Sequence, residues 1–520
     1  MRARGAGRRD RRRGRSGDRG GRCYQPHPSR KELLEQVEQL KRENERLPEQ
    51  VTERDQQIEE KKEQIADAEK QIADLERQLA ARKQNSTNSS KPPSSDGLAG
   101  EPRARGRRKK SKRRPGGQKG HPGAHRPLVP IEQVQEVRPV LPEQCGHCGC
   151  GLPQQVEELQ TVGEIRRHQV TELPPIQAYI VEYQCPKVVC PSCGEATRAP
   201  LPEEAQGQFG VFLTALIAYL TVVCRMPRRV VEEFLEQVLQ IPISLGSMQK
   251  CWEEASEAVA GPCQQLEEQL KREPVLNVDE TGWRNNKEKR YLWAFVAALY
   301  VYYTVAQTRG SEVLIRVLGA VFEGILCSDR FSAYIKYHQG KAQFCWAHWQ
   351  RNILGILEFT KATAVERFCR DALALQARLF RLWHKFRNGR MNREPLWSRS
   401  IRLQKAFFAL AQRHLDSSHR EVRNLANALF WQCERLFTFL DYEGVEPTNN
   451  SAEGALRTGV QWRKICFGNR SDKGELATAR LLTVTGTCRK QGRNALAFIT
   501  EAVSRHRRHQ PAPSLLPQQK

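Results

Sequence analysis

The sequence predicts a multidomain α/β protein with a long helical lead-in. Three observations carry that expectation: an apolar heptad over residues 31–83, two C-x2-C pairs within residues 131–200, and apolar strand-like segments over residues 273–350, two of them ending in aspartate. A chain of 520 residues has room for roughly three or four domains.

Residues 1–30 are rich in Arg and Gly, low in complexity and expected to be a disordered basic segment. From residue 31 to 83 a seam of Val37, Asn44, Val51, Ile58, Ile65, Ile72 and Leu79 recurs every seventh position, with Leu40, Leu47, Ala68 and Leu75 in partner positions. That spacing predicts a coiled coil, and hence a homo-oligomer. Arg54 and Lys61 weaken the seam, Asn44 is placed to set its register, and Pro48 is expected to kink or interrupt the helix. Residues 84–130 are a Ser/Pro/Gly-rich linker ending in the basic cluster "RARGRRKKSKRRPGGQKG". It is expected to be disordered and to neutralise phosphates.

The bulk charge points the same way. Lys plus Arg is 84 against 59 for Asp plus Glu, a net charge of +25. Such a surplus says nothing about fold but favours a polyanionic partner, nucleic acid first. The N-terminal stretch has no apolar core of a secretory signal. The longest apolar run, "FGVFLTALIAYLTVVC", is shorter than the roughly 20 residues that span a bilayer. A cytoplasmic protein without a membrane partner is expected, with its 16 cysteines reduced.

Reduced cysteine pairs point to metal. In residues 131–200, "CGHC" supplies Cys145 and Cys148, and "CPKVVCPSCG" supplies Cys185, Cys190 and Cys193. One knuckle sets two sulfurs on one side of an ion and a second closes a tetrahedral thiolate site. The expectation is a zinc-ribbon-like domain with structural Zn2+ on Cys145, Cys148, Cys190 and Cys193. Cys150 and Cys185 are spare thiols, Cys185 an alternative to Cys190, and His147 or His168 could substitute. The intervening "VGEIRRHQVTELPPIQAYIVEYQC" alternates enough to predict strands. Residues 201–272 read as helices separated by a Pro turn and a Gly/Ser turn, with Ser244 or Ser247 as a cap. This suits a helix-turn-helix-like DNA-binding region, though any small helical bundle has a similar pattern.

Residues 273–350 change period. "PVLNVDET" reads as a strand ending in Asp279, "RYLWAFVAAL" and "VYYTVAQT" as two more, "SEVLIRVLG" as a helix, "GILCSDRFSAY" as a strand ending in Asp329, and "KAQFCWAHWQRN" as a strand running into a helix. Acids at the ends of buried strands bring carboxylates together at a sheet edge. A carboxylate cluster offsets its repulsion by binding divalent cations, and oxygen ligands suit Mg2+. Two such ions can stabilise the attacking and leaving oxygens of an in-line phosphoryl transfer. Cys345 and His348 make a C-x2-H pair, which as two ligands is not a metal site, and are expected to pack a strand–helix junction beside the acids. Trp346 and Trp349 are expected in the core. Residues 351–445 read as a helical insertion and 446–506 as the last part of the core with C-terminal helices. There "EPTNNSAEGALRT" holds Glu453 three positions after Asn450. That spacing is a capping box, and the pattern alone leaves Glu453 a helix cap. Arg457 lies one turn on, followed by Arg463 and Lys464, all three expected to contact DNA.

"NVDETGW", "CSDRFSAY", "FCWAHWQRN" and "PTNNSAEGALRTGVQWRKICFGNRSDKG", in this order, resemble the DDE transposases of bacterial insertion sequences, of the insertion sequence 66 type. The resemblance covers roughly residues 31–500. It implies a ribonuclease-H-like catalytic core with a helical insertion, and catalytic acids at Asp279, Asp329 and Glu453 holding two Mg2+ or Mn2+ ions. It also implies binding to the element's terminal repeats, hydrolysis of a strand at the element's end, and attack of the freed 3′-hydroxyl on target DNA. No Ser or Tyr nucleophile is then required. Small accessory proteins of the same element are implied partners, and a bacterial, nucleoid-associated location follows. The family usually has Arg after the last Glu, where this chain has Gly454. The alternative is a catalytically inactive remnant that binds DNA only, as a repressor. A generic nuclease of the same fold would have no use for ribbon and coil.

Overall fold

The computed structural model describes residues 29–83, 127–158, 160, 162–205, 207–359 and 362–517. Most of the basic segment expected over residues 1–30 and of the linker expected over 84–130 lies outside them. The chain divides into two units, residues 1–83 and 84–520.

The described residues of the first unit form one helix, α1 (Arg30–Lys83), 54 residues long and so about 80 Å from end to end. Its start is a capping box: the Ser29 N–H donates to Glu32 Oε2 at 2.7 Å, and the Glu32 N–H donates to Ser29 Oγ at 3.3 Å. The helix runs through Pro48 without the expected interruption. The heptad residues Val37, Val51, Ile58 and Ile65 are each about half exposed along it.

In the second unit the two cysteine knuckles are formed locally. Gly149 N–H donates to Cys145 O and Cys145 N–H to Cys150 O; Gly194 N–H donates to Cys190 O and Cys190 N–H to Glu195 O. Each turn closes on a glycine of positive φ, Gly149 and Gly194, where a side chain would be strained. Strands β1 (Lys187–Val189) and β2 (Ala196–Arg198) flank the second knuckle as an antiparallel pair. The strands expected between the knuckles are not there: residues 164–186 carry no ladder. Pro174 and Pro175 remove two donors mid-segment, and Val170, Tyr179 and Ile180 are all more than four-fifths exposed, with no opposing strand to cover them.

Four helices follow: α2 (Val211–Val222), α3 (Arg228–Leu239), α4 (Leu245–Ala258) and α5 (Ala260–Leu270). α2 is apolar on most sides and correspondingly buried. Of the two candidate caps, Ser244 caps α4, its hydroxyl accepting from the Ser247 N–H at 3.2 Å.

The sheet then builds from β3 (Val275–Asn285), β4 (Glu288–Val296) and β5 (Val301–Ala306), helix α6 (Ser311–Leu318), β6 (Ile325–Ser328), helix α7 (Ser332–Tyr337) and β7 (Ala342–Phe344). This is the expected β-β-β-α-β-α-β order. Spatially the strands run β5-β4-β3-β6-β7. β3, β4 and β5 are antiparallel, while β6 runs parallel to β3 and β7 parallel to β6. β3 does not end at Asp279 as expected but continues to Asn285, because the hairpin with β4 pairs its polar half, down to Asn285 opposite Glu288.

Helices α8 (Trp346–Phe359), α9 (Thr363–Arg387), α10 (Arg393–Gln412), α11 (Arg420–Trp431) and α12 (Cys433–Asp441) form the insertion. They share a core with β6 and β7 in which Phe344, Trp346, Trp349, Phe368, Phe407 and Phe439 are fully buried. Trp346 and Trp349 are thus core residues, as expected. α13 (Asn450–Cys466), α14 (Asp472–Lys490) and α15 (Ala495–Arg507) complete the chain. A second core joins Trp252 and Leu266 of the early helices to Phe295 and Tyr303 of the sheet and to Leu482 and Ile499 of the last two helices, and a smaller third one packs Ile217, Val231, Leu235 and Met248 among α2, α3 and α4. α13 lies close on β4 because residue 459 is glycine: a Cβ there would collide with Leu292. Among the described residues no helix is long and apolar enough to cross a membrane.

A candidate carboxylate active site

The strand register explains how two acids far apart in sequence meet. In the parallel ladder of β3 and β6, Asn277 stands opposite Cys327. Asp279 and Asp329 each follow two residues later, so both emerge just past the end of that ladder. Asp279 accepts a hydrogen bond from the Glu280 N–H at 2.9 Å, and Asp329 one from the Phe331 N–H at 2.9 Å. No cationic side chain pairs with either acid among the described residues.

Burial pushes the Asp279 carboxyl well above its usual range, and the nearby charges of Glu280, Asp329 and Glu453 push it further. Burial also raises Asp329, opposed by the Phe331 N–H and by Arg309, Arg330 and Arg351. Among the described residues Asp279 is the acid that no guanidinium offsets, and oxygen donors around such a deficit are what a hard divalent cation takes. The residues therefore fit Mg2+ or Mn2+.

Glu453 reaches this edge from the first turn of α13. The capping box expected between Asn450 and Glu453 does not form. The helix begins one residue earlier than expected, Asn449 is its N-cap, and no side chain caps it. Glu453 instead turns its Oε1 toward α8, where Arg351 Nη2 lies at 3.3 Å and His348 Nδ1 at 3.5 Å. Asn449, 2% exposed, donates its side-chain amide to Val278 O at 2.8 Å. It thereby ties the start of α13 to the residue before Asp279.

Further side chains shape the edge. Adjacent strand residues face opposite ways, so Glu280 turns from Asp279 into a pocket where it accepts from Tyr334 Oη and pairs with Arg309. Burial raises the Glu280 carboxyl, opposed by the Arg309 guanidinium. Arg309 also lies over the Phe331 ring at 4.0 Å. Burial, with Arg351 and Arg330 beside it, holds the His348 imidazole down to about 3. It is neutral near pH 7, and its contact with Glu453 is no ion pair. Burial pushes the Cys345 thiol up to about 11.

The three acids are neighbours, but among the described residues their oxygens do not form a set within 4.8 Å of one another; the set that does is Cys345, His348 and Glu453. The sulfurs of Cys145, Cys148, Cys190 and Cys193 likewise remain two separate pairs. Within each pair, hydrogen bonds from the following turn lower the first thiol, those of Cys148 and His147 for Cys145, those of Cys193 and Ser192 for Cys190. Of the expected DNA contacts, Arg457 and Lys464 are exposed on α13, whereas Arg463 is half-buried and donates to Gly282 O. Arg351, Asn449 and the Glu280–Arg309–Tyr334 group were not anticipated. One signal was present: Cys345, His348 and Arg351 recur at three-residue steps, the spacing of one helix face.

A family model described as "Transposase IS66 family" matches residues 206–477, just over half of the chain. The chain belongs to the IS66 transposase family. That matched span contains Asp279, Asp329 and Glu453 and excludes the cysteine knuckles and α1. Residues 25–127 match a second model, described as a family of unknown function (DUF6444). This IS66-family chain is also 24% identical over 247 residues to the "Uncharacterized protein y4qI" of Sinorhizobium fredii (strain NBRC 101917 / NGR234). The alignment covers 43% of this chain and 45% of that relative, so the chain spans under half the relative's length.

Proposed function

We propose that this IS66-family chain is a DDE-type transposase. On this reading it binds the ends of an insertion sequence, cuts a DNA strand there, and joins the freed 3′-hydroxyl to target DNA. The observation that carries it is the convergence of Asp279 and Asp329, at equivalent positions past one parallel ladder, with Glu453 beside them. A ribonuclease-H-like core is part of the proposal, supported by the β5-β4-β3-β6-β7 order of three antiparallel strands followed by two parallel ones.

Asp279, Asp329 and Glu453 are the residues that would hold two Mg2+ or Mn2+ ions, which when bound supply charge stabilisation to the attacking and leaving oxygens. Arg351 fixes the rotamer of Glu453, and Asn449 fixes the helix that carries it. Arg457 and Lys464 contact phosphates and set the register of DNA on the site. Arg463 instead braces the β3–β4 hairpin at Gly282. We assign the knuckle cysteines Cys145, Cys148, Cys190 and Cys193 to one structural Zn2+, and the exposed seam of α1 to self-association. Small accessory proteins of the same element are further partners.

The test is strand cleavage by the purified full-length chain on DNA bearing the inverted repeats that flank its own reading frame, with Mg2+ or Mn2+. Cleavage abolished by Asp279→Ala, Asp329→Ala or Glu453→Ala is expected; cleavage that survives Asp279→Ala would sink the site assignment. Gly454, where the family usually has Arg, favours a second reading: a DNA-binding protein without catalysis. That reading predicts a repeat-specific gel shift with no strand cut under any metal condition.

A further inference from the structure

Two rigid elements are stapled together beside the carboxylates. The Cys345 N–H donates to Ser328 O at 2.9 Å, extending the β6–β7 ladder by one residue, and α8 begins at the next residue. The Trp346 N–H donates to Pro447 O at 3.0 Å. The Asn449 N–H donates to Cys345 Sγ at 3.2 Å. The start of α8 is therefore held to the segment entering α13 by one backbone bond and by the Cys345 sulfur itself.

Those side chains are a thiol, an imidazole and a carboxylate. Cys345 and His348 stand one turn apart at the start of α8, and Glu453 faces them from α13. Their ligand atoms all lie within 4.8 Å of one another. His348 is 8% exposed, and its Nδ1, 3.5 Å from Glu453 Oε1, has no hydrogen-bond partner. A buried ring nitrogen left unpaired against a carboxylate is costly unless something binds between them.

We propose that Cys345, His348 and Glu453 form a binding site for a single borderline-soft divalent ion of the Zn2+ class. Sulfur and imidazole ligands select such ions over Mg2+, which takes oxygen. Bond lengths in a tetrahedral site put ligand atoms about 3.5 Å apart; the His348–Glu453 pair is already at that separation, and the thiol lies within 4.8 Å of both. Binding deprotonates Cys345, the proton passing to solvent. Three protein ligands leave the fourth position open. The Asn449 N–H stabilises the thiolate. The site shares Glu453 with the carboxylate set of the transposase reading, while Cys345 and His348 belong to it alone.

The probe is Co2+, titrated into the chelated, reduced full-length chain, with the thiolate-to-cobalt charge-transfer band as readout. The knuckle cysteines contribute equally to every variant, so the difference between chains isolates this site. The wild-type chain is expected to take up one equivalent more than Cys345→Ser, and His348→Gln is expected to weaken that equivalent at least tenfold. Equal stoichiometry and equal band intensity in wild type and Cys345→Ser overturn the site. Cys345 is buried, so Glu453→Gln, at a position whose side chain is one-third exposed, carries the same test if Cys345→Ser does not fold. There, a loss or at least tenfold weakening of the thiolate-to-cobalt band of one equivalent supports the site, since the all-carboxylate set has no sulfur to give that band, and an unchanged band overturns it.

Discussion

Asn449 donates its side-chain amide to Val278 O at 2.8 Å, joining the N-terminus of the helix that carries Glu453 to the residue before Asp279. The contact is buried, so Asn449→Ala leaves a carbonyl unsatisfied, at a cost of roughly 1–3 kcal/mol. Because it also frees the start of α13, strand cleavage should fall at least tenfold at temperatures where the fold is intact. Full cleavage in a destabilised variant would show that the bond is structural only.

Asp279 lies among acids, with no cation paired to it among the described residues. Asp279→Asn should therefore raise the Tm measured in EDTA by roughly 2–4 °C, the size of a ~1 kcal/mol change, while abolishing cleavage. Saturating Mg2+ should close the gap by stabilising the wild type alone. Calorimetry with and without the ion decides it; a lower Tm for the variant in EDTA contradicts the charge argument.

Gly454 has open space where a Cβ would project. Gly454→Arg should fold normally and gain about 0.8 kcal/mol of helix propensity. A new cation on the site's rim should also tighten DNA binding and steepen its salt dependence by about one phosphate's worth. Titrations at several salt concentrations measure both; an unchanged slope places residue 454 away from the DNA.

His338 is 3% exposed, with Nε2 at 2.8 Å from Lys341 O. Burial holds its pKa below the ordinary histidine value. The unfolded chain takes up this proton near pH 6.5 and the folded chain only at lower pH, so between the two the unfolded state binds more protons. Stability from this group is thus present above about pH 6.5 and declines as pH falls through the window. His338→Gln should flatten that decline in urea-unfolding series, and parallel wild-type and variant curves would assign it to other groups.

Trp346 is fully buried and its indole N–H donates to Leu436 O at 2.6 Å. Trp346→Ala should cost about 3–5 kcal/mol, and Trp346→Phe less, chiefly the lost hydrogen bond. Chemical denaturation of both gives the comparison; a Trp346→Phe variant as stable as the wild type would make the hydrogen bond irrelevant.

The strand and helix order over residues 273–350 could be read from hydrophobic period, because most of each strand's apolar residues are buried and periodicity reports burial. The end of β3 could not: beyond Trp283 the strand is held by backbone pairing to β4, which composition does not reveal. Pro48 and the segment between the knuckles mark the same limit from the other side, since one helix tolerated its breaker and one alternating pattern found no partner strand. At the site, Asp279 and Asp329 were visible as acids following apolar strands, and Cys345 and His348 as a spaced pair. What joined them to Glu453 was not visible, because Asn449 contacts Cys345 across 104 residues and Arg351 meets Glu453 across 102. Local pattern carries no information about such closures; only the family motifs pointed to Glu453.

The link from Val278 to Asn449 spans 171 residues, with the whole helical insertion between its ends. Contacts of such long range form late, because the intervening loop must first be closed. On the ribosome, β3 and β6 emerge and can pair while α13 is still unsynthesised. A nascent or prematurely terminated chain can thus carry α1, the knuckles and two aspartates without the third acid or the helix that presents it. On the proposed reading, the complete acid set is therefore withheld until nearly all of the polypeptide has been made.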